Sequence, residues 1–205
     1  FIGVGDSRIN TAKYAVIPNI TSDNIESHNR LNNYVDAKFK LLTSQNRGSL
    51  EYIKKDDELI SKKIKKNKYK AKIYKVQTSN LNKKFDKIYN KYFISDGNKE
   101  NLLFIFEIAS KLKLNKKKLI RSINRFKGLD YRQQIIFDKK NLTIINDSKS
   151  TSFASSESVL KNLNGAYWIL GGIPKKGDKF KLSKTKCKNL KAFIFGSHSK
   201  KFLEI

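Results

Sequence analysis

Residues 146–151, which read NDSKST, bring together side chains that could do chemistry at the end of an apolar run. Asp147 could hold a ribose or a metal-bound water, and Lys149 could neutralise a phosphate. Thr151 could touch a ligand or cap the helix that follows. The stretch therefore indicates either a ligand-binding loop or an ordinary polar connection from a strand to a helix, and by itself it leaves both interpretations open.

A second glycine turn, with two lysines, lies at residues 170–180, which read LGGIPKKGDKF. Residues 172–179 superficially resemble the P-loop that binds nucleotide phosphates. The resemblance fails because Asp178 stands where the phosphate-binding lysine belongs and Lys179 stands where a hydroxyl should hold Mg²⁺. We interpret it as a chance match, and the sequence contains no other glycine-rich loop of this kind.

These turns have to be positioned by an alternation of strands and helices. Apolar runs predict strands at residues 14–17, 73–76, 166–170 and 192–195 and a hairpin at 134–137 and 142–145. Helical periodicity predicts helices over residues 31–42, 102–112, 116–126 and 155–163, whereas residues 43–93 are mostly charged and irregular. Strands that alternate with helices and end in glycines are typical of an open α/β sheet, which binds ligands at the carboxyl ends of its strands.

The formal charge of +26 over 205 residues allows two interpretations. One is binding to nucleic acid, since clustered cations release counterions from a phosphate backbone. The other is compositional drift on solvated faces, because nearly all the basic residues are lysine. Proteins that read base sequence usually favour arginine for its bidentate contacts. Drift is the favoured interpretation, and no nucleic-acid partner is expected.

The apolar runs and the single cysteine limit where the protein can work. The longest apolar runs are far shorter than the ~20 residues that a membrane-spanning helix needs, so no membrane span is expected. Cys187 has no second cysteine to pair with, which fits a reducing compartment. The sequence starts at Phe1 without a Met or a charged leader, and it is expected to begin inside a longer protein.

Several stretches together resemble the Mur ligases in order and in spacing. These are FKGLDYR from Phe126, INDSKST and LGGIPKKGDKF, with weaker likenesses at residues 19–38 and in the helix-initiating turn at residues 95–101. The resemblance covers nearly the whole chain. It implies an α/β fold in which residues 1–128 are part of the central ATP-binding domain of a Mur ligase. Residues 129–205 would be an incomplete, Rossmann-like C-terminal domain.

The best match within the family is the member that adds D-glutamate to UDP-N-acetylmuramoyl-L-alanine in peptidoglycan synthesis. The resemblance implies a cytoplasmic, monomeric enzyme that uses ATP and Mg²⁺ and forms an acyl phosphate. The family's UDP-binding domain and P-loop are missing, so this chain alone is expected to be inactive. A non-catalytic, nucleotide-binding relative is the alternative.

The resemblance also assigns roles to individual residues. Lys38 matches a lysine that the family carbamylates to bind Mg²⁺, and Lys38 and Lys149 match catalytic positions. The remaining matches are to nucleotide-binding residues at Asn98, Asn101, Arg132 and Asp147 and to residues on the D-glutamate side at Thr151 and Lys175. A cation facing an acidic amino acid makes physical sense, because each carboxylate must be paired when water is expelled.

Several positions depart from the family pattern. Asn24 stands where the family has a metal-binding histidine, and an amide is a poorer ligand for the metal. Gly97 stands at the histidine of the helix-initiating turn. Asp130 and Tyr131 stand where the family has Pro-His, and the arginine that follows in the family is retained as Arg132. These departures are the reason to keep the non-catalytic alternative.

Overall fold

The structure is a computed structural model, and it describes residues 12–20, 31–78, 85–175 and 177–203. The predicted metal ligand Asn24 lies outside these ranges. The chain divides into two compact units. Unit 1 consists of Phe1–Asp86 and Glu100–Leu119, and unit 2 consists of Lys87–Lys99 and Ile120–Ile205. The predicted domain boundary at residue 128 stays a prediction.

Unit 1 is built on a parallel sheet of three strands, β1 (Tyr14–Ile17), β2 (Leu50–Lys54) and β3 (Lys72–Val76), in that order across the sheet. Two helices, α1 (Leu31–Thr43) and α2 (Glu58–Lys66), lie in the connections between successive strands. Parallel neighbours need such crossovers, because a tight hairpin can join only antiparallel strands. Asp57 starts α2, since its carboxylate accepts a hydrogen bond from the backbone N–H of Ile60 at 3.0 Å.

Apolar side chains form two separate core clusters in unit 1. The larger one joins the strands to α1 and α2 and includes Ile17, Phe39, Leu42, Ile53 and Ile60. The smaller one includes Tyr52 and Val76 from the sheet and residues of α3 (Asp96–Lys111), among them Leu103 and Phe104. The layers of this unit are those of the α/β fold that the sequence predicts.

A charged residue, Glu51, occupies an interior position of unit 1. It is the second residue of β2 and pairs in register with Ala15 and Ile73, which belong to the larger cluster or pack against it. Its side chain is 0% exposed, and neither carboxylate oxygen has a hydrogen-bond partner among the described residues. Burial raises the pKa of Glu51 to about 7, because an ion in an apolar medium loses its hydration.

Unit 2 begins with a 3₁₀ turn (Lys91–Ile94) and includes the first turn of α3 and most of α4 (Lys116–Arg125). The strands β4 (Gln134–Lys139) and β5 (Leu142–Asn146) pair as an antiparallel hairpin. Tyr92, Phe93 and Phe126 pack ring against ring beneath it. Gly128 has a φ of +82°, and a Cβ on it would lie 2.7 Å from the Tyr92 ring, so only glycine fits there.

The rest of unit 2 is a parallel pair of strands with short helices. It runs α5 (Phe153–Leu160), β6 (Ala166–Gly171), α6 (Lys184–Cys187), β7 (Leu190–Phe195) and α7 (Ser199–Leu203), with β6 parallel to β7. Phe153 is buried and contacts the rings of Trp168, Phe180 and Phe202. This aromatic cluster joins α5 and α7 to one face of β6 and β7.

The predicted strands and helices are confirmed except in two places. Residues 43–93 contain β2 and α2, so the prediction of an irregular stretch is wrong there. The second predicted helix begins at Asp96 rather than near residue 102, because the Ser95 hydroxyl accepts the Asn98 backbone N–H and caps the helix early. Gly97 and Asn98 therefore lie in the first turn of α3 instead of before it.

Candidate functional site

Asp147 lies directly after β5 in unit 2 and is half-buried. Its Oδ1 accepts a hydrogen bond from the backbone N–H of Gln133 at 3.0 Å. Burial raises the pKa of Asp147, and three groups oppose that rise: the Gln133 N–H, the Ser150 side chain and the charge of Arg132. Tyr92 is also buried, and burial raises its pKa. The positive charge of Arg132 opposes that rise, and the negative charge of Asp147 adds to it. A partly desolvated carboxylate with oriented donors suits a sugar hydroxyl.

The loop before β4 has an unusual backbone. Tyr131 and Gln133 have φ angles of +63° and +49°, in the left-handed region that residues other than glycine seldom adopt. Several bonds hold this loop. The Tyr131 N–H donates to Gln134 Oε1 at 3.1 Å, and the Tyr131 carbonyl accepts the Lys149 N–H at 3.0 Å. Left-handed residues of this kind cluster at functional sites, where the surroundings enforce the strained backbone.

Lys149 and Arg132 are the exposed cations beside this loop. The Lys149 ammonium lies 5.6 Å from the centre of the Tyr131 ring, within the range of a cation–π contact. Arg132 lies between the two left-handed residues, and its N–H donates to the Leu129 carbonyl at 3.1 Å. The structure thus brings Arg132, Asp147 and Lys149 together, although their sequence positions are up to seventeen apart.

Asn98 joins this cluster through Gln133. Its Nδ2 donates to the Tyr92 carbonyl and to Gln133 Oε1, both at 2.8 Å. The backbone N–H of Gln133 is bonded to Asp147. Gln133 therefore contacts two of the predicted nucleotide-binding residues, Asn98 and Asp147. The sequence interpretation did not identify Gln133. No motif marks a single glutamine, and only its backbone angle and its two bonds distinguish it.

Thr151 and Lys175 approach each other elsewhere in unit 2. The Lys175 ammonium is 3.4 Å from Thr151 Oγ1. That the two residues share a substrate stays a prediction. Asp178 supports the start of α5, since its carboxylate accepts the Phe153 N–H at 2.8 Å. This structural role explains why an aspartate stands where a P-loop would have a lysine.

The predicted residues of unit 1 form a separate set. Lys38, in α1, donates to the Asn19 carbonyl at 3.2 Å and lies 4.8 Å from the Tyr34 ring centre. Both contacts suit an ammonium group and not a carbamate. Asn101 is exposed on α3. Among the residues that the structure describes, no group of three His, Cys, Asp or Glu side chains could hold a metal ion.

The Mg²⁺ site stays a prediction. Of the two positions that the family pattern gives as ligands, Asn24 lies outside the described residues and Lys38 donates to the Asn19 carbonyl. The nucleotide fits better, because Asn98, Arg132, Asp147 and Lys149 offer donors, acceptors and positive charge in one unit. The site assignments stay predictions.

The parallel strands and crossover helices of unit 1, and the parallel strands and short helices of unit 2, define the chain as an α/β protein. A sequence profile described as the Mur ligase middle domain matches residues 3–119. Because this match covers more than half of the chain, the chain belongs to the Mur ligase family.

Bacterial relatives of the chain carry a more specific name. The UDP-N-acetylmuramoylalanine–D-glutamate ligase of Rickettsia felis is 29% identical over 203 residues, which cover 91% of this chain and 45% of that protein. The protein of that name from Rickettsia prowazekii is 30% identical over 205 residues and covers 91% and 46%. The chain thus spans about half the length of these relatives.

Two solved structures share the fold. MurF from Acinetobacter baumannii superimposes with a TM-score of 0.63 at 14% identity, over 95% of this chain and 53% of that one. The MurF ligase of Thermotoga maritima in complex with ADP gives a TM-score of 0.59 at 15% identity, over 95% and 45%. The predicted fold class is therefore confirmed. No helix in the described ranges is long and apolar enough to cross a membrane.

Proposed function

We propose that this chain is part of an ATP-dependent ligase that adds D-glutamate to UDP-N-acetylmuramoyl-L-alanine in peptidoglycan synthesis. One observation carries the proposal: Asn98, Arg132, Asp147 and Lys149, matched to the family by sequence, lie around one strained loop in unit 2. The names of the Rickettsia relatives support the choice of D-glutamate as the added amino acid.

In the proposed reaction, the γ-phosphoryl group of ATP is transferred to the carboxylate of UDP-N-acetylmuramoyl-L-alanine. This step releases ADP and forms an acyl phosphate. The amine of D-glutamate then attacks the acyl carbon, phosphate leaves, and the amine loses a proton as the amide forms. The protein lowers both barriers mainly through positioning and through electrostatic stabilisation of the developing charge.

Each residue of the cluster has a role that its chemistry permits. Asp147 accepts a hydrogen bond from a ribose hydroxyl, while its own orientation is fixed by Gln133. Arg132 and Lys149 lie beside the phosphates and reduce their mutual repulsion. Thr151 and Lys175, which already approach each other, bind D-glutamate. A cation there pairs with a carboxylate that would otherwise lose its hydration unpaired.

Magnesium enters the proposal only as a requirement of phosphoryl transfer. When bound, the ion would neutralise charge on the phosphates. Carbamylation of Lys38 would turn a donor into an oxygen ligand, and it would break the present bond to the Asn19 carbonyl. No step is assigned to the ion.

The test compares this chain with the longer protein to which it is proposed to belong. Because the sequence contains no P-loop, we expect no ATP consumption from the chain alone. In the longer protein, ATP consumption should require both UDP-N-acetylmuramoyl-L-alanine and D-glutamate. The Lys149→Ala variant should lose at least about a hundredfold in kcat, as loss of a charge-stabilising group does. Lys139→Ala, a matched change on β4, should keep the activity, and equal loss in both variants would reject the assigned role.

A non-catalytic, nucleotide-binding relative is the second candidate, and Asn24 favours it. Asn24 stands at a position where the family pattern has a metal-binding histidine, so a ligand of that pattern is changed in this chain. Under this alternative the longer protein binds ATP but forms no amide product. Asn24→His distinguishes the two functions, because a rise in ligase activity in that variant identifies an impaired enzyme. Binding without product in both forms supports the non-catalytic role.

A further inference from the structure

We propose that Gln133 is a positioning residue: together with the Tyr92 carbonyl it occupies both N–H groups of the Asn98 amide, so that only Oδ1 can bond to a nucleotide, and it thereby favours adenine over guanine. The inference rests on the proposed function, since it assumes that this cluster of unit 2 binds a nucleotide. It concerns Gln133, Asn98, Tyr92 and Asp147, all of which belong to the same compact unit.

The orientation of the Asn98 amide follows from the Tyr92 carbonyl. A backbone carbonyl can only accept a hydrogen bond, so the atom of Asn98 that lies 2.8 Å from it must be the nitrogen. That same nitrogen lies 2.8 Å from the Gln133 side chain, which must therefore present its oxygen. Both N–H groups of Asn98 are used in this way, and the amide has only its Oδ1 acceptor to offer a ligand.

An acceptor at this position discriminates between the two purines. Adenine carries an amino group, a donor, at the ring position where guanine carries a carbonyl oxygen, an acceptor. The Asn98 Oδ1 can accept a hydrogen bond from the adenine amino group, whereas it would repel the guanine oxygen. Without Gln133, a single bond to Tyr92 would hold the amide, and the second N–H would be released to donate to guanine.

The backbone of Gln133 provides the second observation. Its φ of +49° is unfavourable for a residue with a side chain, yet this conformation points the N–H at Asp147 Oδ1 and the side chain at Asn98. Asn98 and Asp147 lie on different elements, and Gln133 is the residue that bonds to both. A strained residue that makes two such bonds is more consistent with positioning than with an ordinary loop.

Three substitutions separate the two contacts. Gln133→Leu has nearly the same size but lacks the acceptor for Asn98. Gln133→Glu keeps an acceptor oxygen, so the Asn98 amide should keep its orientation. Gln133→Gly removes the side chain, relieves the left-handed strain and retains the N–H that bonds to Asp147.

The experiment is an NMR titration of the whole 205-residue chain with ADP and, separately, with GDP. It measures both affinities and follows the side-chain NH₂ signals of Asn98. We expect the unmodified chain and Gln133→Glu to prefer ADP. In Gln133→Leu and Gln133→Gly the ratio of ADP affinity to GDP affinity should fall roughly tenfold, as expected for one hydrogen bond. The Asn98 NH₂ signals should also lose the shift that the bond to Gln133 causes.

The two levels of the proposal fail differently. If the unmodified chain binds ADP and both Gln133→Leu and Gln133→Gly keep its preference for ADP, the role of Gln133 is refuted and nucleotide binding stands. If the unmodified chain binds neither nucleotide, the affinities are measured in the longer protein, and absence of binding there refutes the nucleotide site itself. A purely structural role for Gln133 would weaken both nucleotides equally and leave the ratio unchanged, and this outcome also refutes the inference. Gln133→Gly keeps the test valid if Gln133→Leu fails to fold.

Discussion

Glu51 makes the stability of unit 1 depend on pH. Its carboxyl group is fully buried and has no hydrogen-bond partner among the described residues, and burial raises its pKa from 4.5 to about 7. The folded state therefore holds a proton that the unfolded chain releases near its ordinary pKa. Since the folded pKa is the higher one, the contribution to stability is fully present below about pH 4.5 and is lost as the pH rises through about 7.

The magnitude follows from the size of the shift. A pKa change from 4.5 to about 7 corresponds to about 3 kcal/mol of unfolding free energy between the acidic and the alkaline limit. Most of it, roughly 2–3 kcal/mol, falls between about pH 5 and about pH 8. Glu51→Gln cannot ionise, so this part of the pH dependence should vanish. The test uses the pH dependence of the Glu51→Gln variant and not its absolute stability, because a buried amide without hydrogen-bond partners also lowers the free energy of unfolding.

Urea unfolding of the chain and of Glu51→Gln over this pH range measures the difference, and amide hydrogen exchange in β2 assigns it to unit 1. Glu58→Gln is the matched control, because Glu58 is an exposed glutamate on α2 and its change should leave the pH dependence intact. The reasoning is wrong if Glu51 titrates near its ordinary pKa, as a ¹³C titration of its carboxyl carbon would show, or if Glu51→Gln keeps the full slope.

Three further substitutions test local contacts by urea unfolding. Gly128→Ala should destabilise unit 2 by about 1–3 kcal/mol, because the new methyl group meets the Tyr92 ring at a φ of +82°. Asp57→Ala should cost about 1–2 kcal/mol, because it removes the cap of α2 and the acceptor of the Ile20 N–H; no loss would refute the cap. Phe153→Ala should cost about 3–5 kcal/mol and change the Trp168 fluorescence, since the two rings are in contact.

The sequence predicted the hairpin and the parallel strands because their apolar runs are bounded by clear turn residues. It missed β2 because Glu51 and Lys54 interrupt the apolar pattern, and burial of an unpaired glutamate contradicts the rule on which the pattern depends. It missed α2 because only Leu59, Ile60 and Ile64 are apolar in a lysine-rich helix. In both cases tertiary packing overrides the local pattern.

The candidate site was predictable in part. Asp147, Lys149, Thr151 and Lys175 belong to motifs whose residue types suggest chemistry. The grouping of Asp147 with Asn98 depends on Gln133, whose left-handed backbone has no counterpart in the sequence. A β-turn glycine would have signalled such a backbone, but a glutamine does not. The metal site could not be assessed from the residues described, because Asn24 lies outside them.

The most direct measurement of the proposed ligase activity follows an isotope through the reaction. The longer protein would be given ATP, D-glutamate and UDP-N-acetylmuramoyl-L-alanine labelled with ¹⁸O in its carboxylate. Reaction through an acyl phosphate predicts an amide product, one ADP for each amide formed, and one ¹⁸O atom in the released phosphate. Unlabelled phosphate would contradict the acyl phosphate, and ATP hydrolysis without any amide product would contradict the ligase itself.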